Sequence, residues 1–576
     1  MNTFTLGLIV IAYLLSLAYL GFLGYKKTTS ASDYLVGGRQ MNPFVMALSY
    51  GATFISASAI VGFGGVAAAF GMGIQWLCFL NMFIGVVIAF IFFGLRTRRM
   101  GARLNVSTFP QLLGRHYRSR GIQVFVAAVI FLGMPLYAAV VMKGGAVFIE
   151  QIFQIDFNVS LLIFTLVIAA YVIAGGMKGV MYTDALQAVI MFGCMLFLLF
   201  SLYRVLDMGF TEANQALTDI APLVPEKFKA LGHQGWTAMP VTGSPQWYTL
   251  VTSLILGVGI GCLAQPQLVV RFMTVESSKQ LNRGVFIGCF FLIITVGAIY
   301  HAGALSNLFF LKTEGVVATE AVKDMDKIIP YFINEAMPDW FAALFMLCIL
   351  SASMSTLSSQ FHTMGASVGS DIYGTYKPRS RGKLTNVIRL GVLFSILVSY
   401  IICYMLPNDI IARGTSIFMG ICAAAFLPAY FCALYWKRAT RQGVMASLWI
   451  GTIGSLFALA FLHQKEAAAM GVCRWLFGKD VLIETYPFPM IDPIVCITIV
   501  SGSCYHYKFA DRKRKKIKMR CQESAIFLIA DFRSISAFYF FLVRFVPRID
   551  ISHKIICFYS TKISVFTHRI GEVLFQ

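Results

Sequence analysis

Apolar residues along this chain come in long unbroken runs, not in the beat of an amphipathic helix or the alternation of a strand. A window of about 19 residues gives thirteen spans, near 4–24, 44–69, 73–95, 122–152, 157–176, 184–206, 247–270, 284–311, 336–367, 388–406, 411–436, 442–463 and 488–507. Runs of that length predict helices that cross a bilayer. The expected fold class is an all-α polytopic membrane protein with about 13 transmembrane helices. The polar connections sort into two sets. One is basic: Lys26, Lys27 and Arg39; Arg96 to Arg120; Lys178; Arg271, Lys279 and Arg283; Lys377 to Lys383; Lys437, Arg438 and Arg441. The other is mixed or acidic, such as Glu150 with Asp156. With thirteen spans the two sets alternate without exception. The positive-inside rule then puts the N-terminus outside and the C-terminus, from 512–518 on, in the cytoplasm of a cell-membrane protein. No basic residue precedes the first run and two follow it, which reads as a retained first span and not a cleaved signal.

Composition agrees: 58% of residues are hydrophobic and only 13% charged, too few charges to coat soluble domains. The net charge of +21 would suggest nucleic acid in a soluble protein. Here most of it lies in short loops and reads as topology, so no nucleic-acid partner is expected. The cysteines are scattered, and Cys78, Cys194, Cys348 and Cys403 lie inside apolar runs, as small buried hydrophobes do.

Two spans are unusual. The second (SYGATFISASAIVGFGGVAAAFGMG) is crowded with Ser, Thr, Ala and Gly, and the seventh (LILGVGIGCLAQPQLVVRF) carries Gly257, Gly259, Gly261 and Pro266. Such residues interrupt the helical ladder, which is tolerated where backbone lines a cavity. Five spans apart, the two cross in opposite senses, the pattern of a transporter site between inverted halves. The alternative is that small residues only let helices pack closely. The ninth span places Ala352, Ser355, Thr356 and Ser359 on one helix face, with Ser358 at its flank. A lone hydroxyl usually bonds its own i−4 carbonyl, but a stripe of them offers oxygens to a hard cation such as sodium. Among intramembrane charges, Asp184 is either an interfacial helix cap or functional. Lys143 either snorkels toward Glu150 or offers a cation to a carboxylate. His301 and His362 are either proton relays or packing residues.

At DYLVGGR (33–39), GGMKGVMYTDALQ (175–187), QPQLVVRFMTVESSKQLNRG (265–284) and SASMSTLSSQ (351–360) the sequence resembles the sodium:solute symporter family, over roughly residues 5 to 505. The resemblance implies the leucine-transporter fold, with two inverted five-helix repeats after an extra first helix. It implies a sodium site of the backbone oxygens of Ala52, Ile55 and Ala352 with the hydroxyls of Ser355 and Thr356. It also implies a second sodium set, Asp184, Ser355, Ser358 and Ser359. In proline carriers of the family Trp and Tyr line the seventh span; Val258 and Cys262 stand here. Tyr137 and Ser56 match solute-side residues, and ATFISASAIVGFGG looks closest to the pantothenate branch. The family's usual Arg is absent at Ala146 and Val147. The expected solute-binding set is Ser56, Tyr137, Lys143, Val258 and Cys262.

These readings give a first helix and loop (1–43), a first repeat (44–210), an outer loop (211–246), a second repeat (247–440), two further helices (441–507) and a basic segment with an atypical tail (508–576). The tail, whose composition shifts near Cys521, is attracted to anionic lipid together with the polybasic run, or is an extension of little function. The expected function is sodium-coupled import of a small carboxylate-bearing solute by alternating access. A rival of the same fold uses protons, and a membrane enzyme or a sensor is a third class. One charge crossing about 100 mV yields roughly 2.3 kcal/mol and a tenfold sodium gradient about 1.4 kcal/mol. For a monoanion moving with one sodium the electrical part cancels, and a second sodium would restore it.

Overall fold

The computed structural model describes residues 3–484, except 29, 378–383, 408 and 437. Among these residues every regular element is a helix. Ten helical stretches there are long and apolar enough to cross a membrane. One of them, Ser58–Leu104, joins the second half of the second expected span to the third, and the fifth is the shorter apolar helix Phe157–Ala170. The thirteenth expected span, the polybasic run at 512–518 and the tail lie outside the described residues.

The elements that frame the centre are α1 (Thr3–Lys26), α2 (Pro43–Phe54), α3 (Phe63–Phe70), α4 (Phe109–His116), α5 (Arg120–Phe153), α6 (Phe157–Leu206), α7 (Pro266–Arg271), α8 (Ser278–Glu314), α9 (Met325–Ala336), α10 (Asp339–Ala366), α11 (Leu384–Met405) and α12 (Ile411–Ile421). Exposed Arg96, Arg99, Arg115, Arg118 and Arg120 mark one face of the bundle, the basic face. Helix α9 lies on the opposite, far face. Helix α6 covers two expected spans, folded at Gly176, whose φ of 59° suits a residue without Cβ.

Both unusual spans are broken. Helix α2 starts at the Asn42 cap and Pro43, and stops at Ile55, which is extended (φ −91°, ψ 110°). Its last carbonyls therefore lose their i+4 donors. A wide helical turn, Ser58–Gly62, then leads into α3. The seventh span narrows to a 3₁₀ turn at Cys262–Ala264 and is extended at Gln265 (φ −62°, ψ 119°). Pro266 explains that break, since it pushes the residue before it out of the α region.

Helix α10 is buried on every side from Cys348 to Ala366 although it carries Ser351, Ser353, Ser355, Thr356, Ser358, Ser359 and Thr363. Ser353 and Thr363 bond the carbonyls of Ile349 (2.8 Å) and Thr363's own i−4 neighbour Ser359 (2.7 Å), the ordinary fate of a helical hydroxyl. The pattern G-x-S-x-G, which carries the nucleophile in some hydrolases, occurs once in the sequence, at Gly365–Gly369. It runs through helix with Ser367 buried, not through the strand-to-helix turn that exposes a catalytic serine.

Candidate cation and solute site

The break after α2 faces the hydroxyl stripe of α10. Ser355 Oγ donates to the Ala52 carbonyl at 2.9 Å and reaches the Ala352 carbonyl at 3.2 Å. Thr356 Oγ1 lies 3.1 Å from the Thr53 carbonyl and 3.5 Å from that of Ile55. The structure thus brings Ala52, Ile55, Ala352, Ser355 and Thr356 together and adds the Thr53 carbonyl. All these residues are buried. The donors are neutral oxygens, a set that suits a hard monovalent cation better than a thiolate- or imidazole-seeking metal.

Beside this lies an ion pair that sequence reasoning missed. Arg271, counted above with the basic loops, is fully buried at the end of α7. Its Nη2 reaches Asp184 Oδ2 at 2.8 Å, Ser359 Oγ at 2.6 Å and Thr53 Oγ1 at 2.5 Å. Its Nε donates to Ser49 Oγ at 3.0 Å, and Ser49 donates in turn to Asp184 at 2.7 Å. Asp184 is no interfacial cap: it sits within α6, wholly buried. Of the second sodium set, Asp184 and Ser359 converge on the guanidinium, while Ser358 Oγ bonds the Ser355 carbonyl at 3.0 Å. The available signal was an intramembrane Asp184 with no cation opposite it in the sequence reading, and a basic residue directly at a span's end.

The solute-side residues Ser56, Tyr137, Val258 and Cys262 are all buried. Ser56 and Gln265 both adjoin the Tyr137 hydroxyl. The Tyr137 ring stacks on Phe418 with centroids 5.4 Å apart. Gln265, at the second break, is a further polar residue of this space, beside the Tyr137 hydroxyl. Lys143 is not there. Its Nζ donates to the carbonyls of Leu406 (3.3 Å) and Pro407 (2.5 Å), just past the end of α11, where a helix presents partial negative charge. Nor does it snorkel toward Glu150, which pairs with Lys327 at 3.1 Å. His362 packs 5.3 Å from the Tyr34 ring; His301 packs 5.8 Å from that of Phe210 and lies 3.4 Å from the Gln75 amide nitrogen.

On the far face α9 and α12 exchange caps. Asp409 Oδ1 accepts from the Met325 amide at 2.6 Å, and Asp326 Oδ2 from the amides of Ile410 (3.2 Å) and Ile411 (3.4 Å). Burial, then Asp324, push the Asp326 carboxyl up to about 7, against the pull of Lys143 and the Ile411 amide, with Asp409 adding to the rise. A carboxyl that holds its proton more tightly when folded stabilises the fold at acid pH, and that stability is lost as pH rises toward about 7. Relative to Asp326→Asn, the wild-type protein should therefore lose roughly 2 to 3 kcal/mol between about pH 5 and pH 7. Melting of both proteins in detergent across that range checks this; parallel pH curves would refute it.

The sequence model of the sodium:solute symporter family matches residues 34–451. The osmoregulated proline transporter OpuE of Bacillus subtilis is 28% identical over 471 residues, covering 81% of this chain and 90% of that protein. The sodium/pantothenate symporter of Haemophilus influenzae is 26% identical over 464 residues, covering 80% and 90%. Among solved structures, a Na+-coupled sialic acid symporter superposes with a TM-score of 0.67 at 16% identity, covering 88% of this chain and 97% of its own. That likeness shows a shared fold, the leucine-transporter-like arrangement of inverted repeats.

Proposed function

Because the chain belongs to the sodium:solute symporter family, we propose that it is a sodium-coupled importer of a small carboxylate-bearing solute, working by alternating access. The observation that carries this reading is the meeting of Ser355 and Thr356 with the carbonyls freed at Ala52, Thr53 and Ile55. An ion held there ties α10 to the break in the second span, so its binding energy biases one arrangement of the two halves over the other. The solute sits between the two breaks, against Ser56, Tyr137, Val258, Cys262 and Gln265. None of these is charged, so a carboxylate is balanced by the sodium and by the N-terminal end of the half-helix that follows Ser56. Proline and pantothenate, named for two relatives, both carry a carboxylate.

One sodium per cycle is the stoichiometry we favour, because Arg271 already neutralises Asp184. A monoanion carried with one sodium moves without net charge and is driven about tenfold by a tenfold sodium gradient. The basic face is the cytoplasmic one in this reading, and the protein resides in the cell membrane.

Uptake of radiolabelled proline, pantothenate, lactate and glucose into proteoliposomes, under inward sodium, choline or proton gradients, tests it. Accumulation of a carboxylate with sodium alone is expected. Equal uptake in choline, or drive by protons instead, would overturn the sodium reading; accumulation of glucose alone would overturn the carboxylate.

A further inference from the structure

Helix α1 stands outside both repeats, yet its apolar length carries one polar anchor at mid-membrane. Tyr13 is 5% exposed. Its hydroxyl accepts from Ser351 Oγ at 3.0 Å and from Gln187 Nε2 at 3.1 Å, and points its own hydrogen at Met354 Sδ, 3.9 Å away. All three partners lie on helices that build the centre. Ser351 directly precedes Ala352 and stands one turn before Ser355 on α10. Gln187 lies one turn after Asp184 on α6.

The seat of α1 is fixed independently of this tyrosine. A Cβ at Gly24 would overlap the backbone of Gly179, so the two helices touch main chain to main chain near the basic face. From that fulcrum Tyr13 stands about three turns along α1. Its hydroxyl is the acceptor for both donors, which are buried. Gln187 Oε1 already has no partner among the described residues, so losing Tyr13 would leave the whole amide unsatisfied.

We propose that Tyr13 is a positioning residue of the cation site. By bridging α6 and α10 from the lipid-facing side, it fixes the rotation and height at which α10 offers Ala352, Ser355 and Thr356 to the break in the second span. Sodium affinity is thereby set partly by a helix that contributes no oxygen to the ion. This inference rests on the sodium reading above.

Equilibrium binding of radioactive sodium to the purified full-length protein in detergent tests it. Tyr13→Phe should raise the half-saturating sodium concentration about threefold to tenfold while leaving the number of ions bound unchanged. Ser351→Ala, which removes the same bond from the other side, should do likewise, and the double variant should add little to either. If Tyr13→Phe does not fold, Ser351→Ala alone decides. A sodium midpoint unchanged within twofold, with only the melting temperature lowered, would reduce Tyr13 to a structural anchor and overturn the inference. Wild-type protein that binds no sodium would overturn the sodium reading, and the inference with it.

Discussion

Arg271→Ala is expected to destabilise the protein by about 3 to 5 kcal/mol. It would strip the cation from Asp184, whose side chain is wholly buried at 2.8 Å from the guanidinium. Ser49, Thr53 and Ser359 would also lose a donor. Asp184→Leu should cost a similar amount for the opposite reason, a buried guanidinium left with only hydroxyls and the Gln267 carbonyl to face. The double variant Asp184→Leu/Arg271→Met should recover much of the loss, since replacing a buried pair by apolar groups removes two desolvation costs at once. Melting followed by a thiol-reactive dye, which reports the buried cysteines as they emerge, supplies the measurement. Single variants that melt like wild type would mean that water, not the ion pair, satisfies this cluster. A further sign separates the pair from a mere brace: in Arg271→Ala, sodium chloride should stabilise more than choline chloride does, by more than in wild type. The bare carboxylate would then be taking a mobile cation in place of its tethered one.

The second large effect belongs to the hydroxyls of α10. Ser355→Ala and Thr356→Ala should each raise the sodium concentration for half-maximal uptake by at least about tenfold, or about 1.4 kcal/mol, within the range for a hydrogen-bonding group that faces a charge. Thr356→Ser keeps the oxygen and should stay near wild type. Ser353→Ala and Thr363→Ala supply the controls, because those hydroxyls turn back to the carbonyls of Ile349 and Ser359 and never reach α2. Sodium dependence unchanged in both Ser355→Ala and Thr356→Ala would remove the cation site.

Much of this architecture was legible in the sequence because a bilayer leaves the backbone so little freedom. Long apolar runs had to be helices, and the interruptions at Ile55 and Gln265 had to be buried by protein. The stripe from Ala352 to Ser359 followed from helical spacing alone. Charged side chains were harder, because a long side chain chooses its partner in three dimensions. Arg271 falls where an apolar window ends, so a span average assigns it to the loop; only the packed position of α6 shows that it turns inward. Lys143 had Glu150 two turns away along its own helix, but Glu150 is taken by Lys327, from a loop helix remote in sequence. Tyr13 gave no signal, since one tyrosine among apolar residues looks like ordinary span composition.

The tight seat of α3 limits how the far side can open. A methyl at Gly65 would strike the Met325 carbonyl, one at Gly62 the Ala412 amide, and one at Gly303 of α8 the Gly64 carbonyl. Main chain comes against main chain along three edges, with the Ile411 side chain and the Ala67 methyl wedged beside two of them. This half-helix, the start of α12, the start of α9 and the adjoining turn of α8 are therefore keyed together as one tightly packed block. The extended peptide at Ile55 is the link between this block and α2; in the reading proposed above, the carbonyls just before it hold the ion, so the joint and its lock would share one piece of chain.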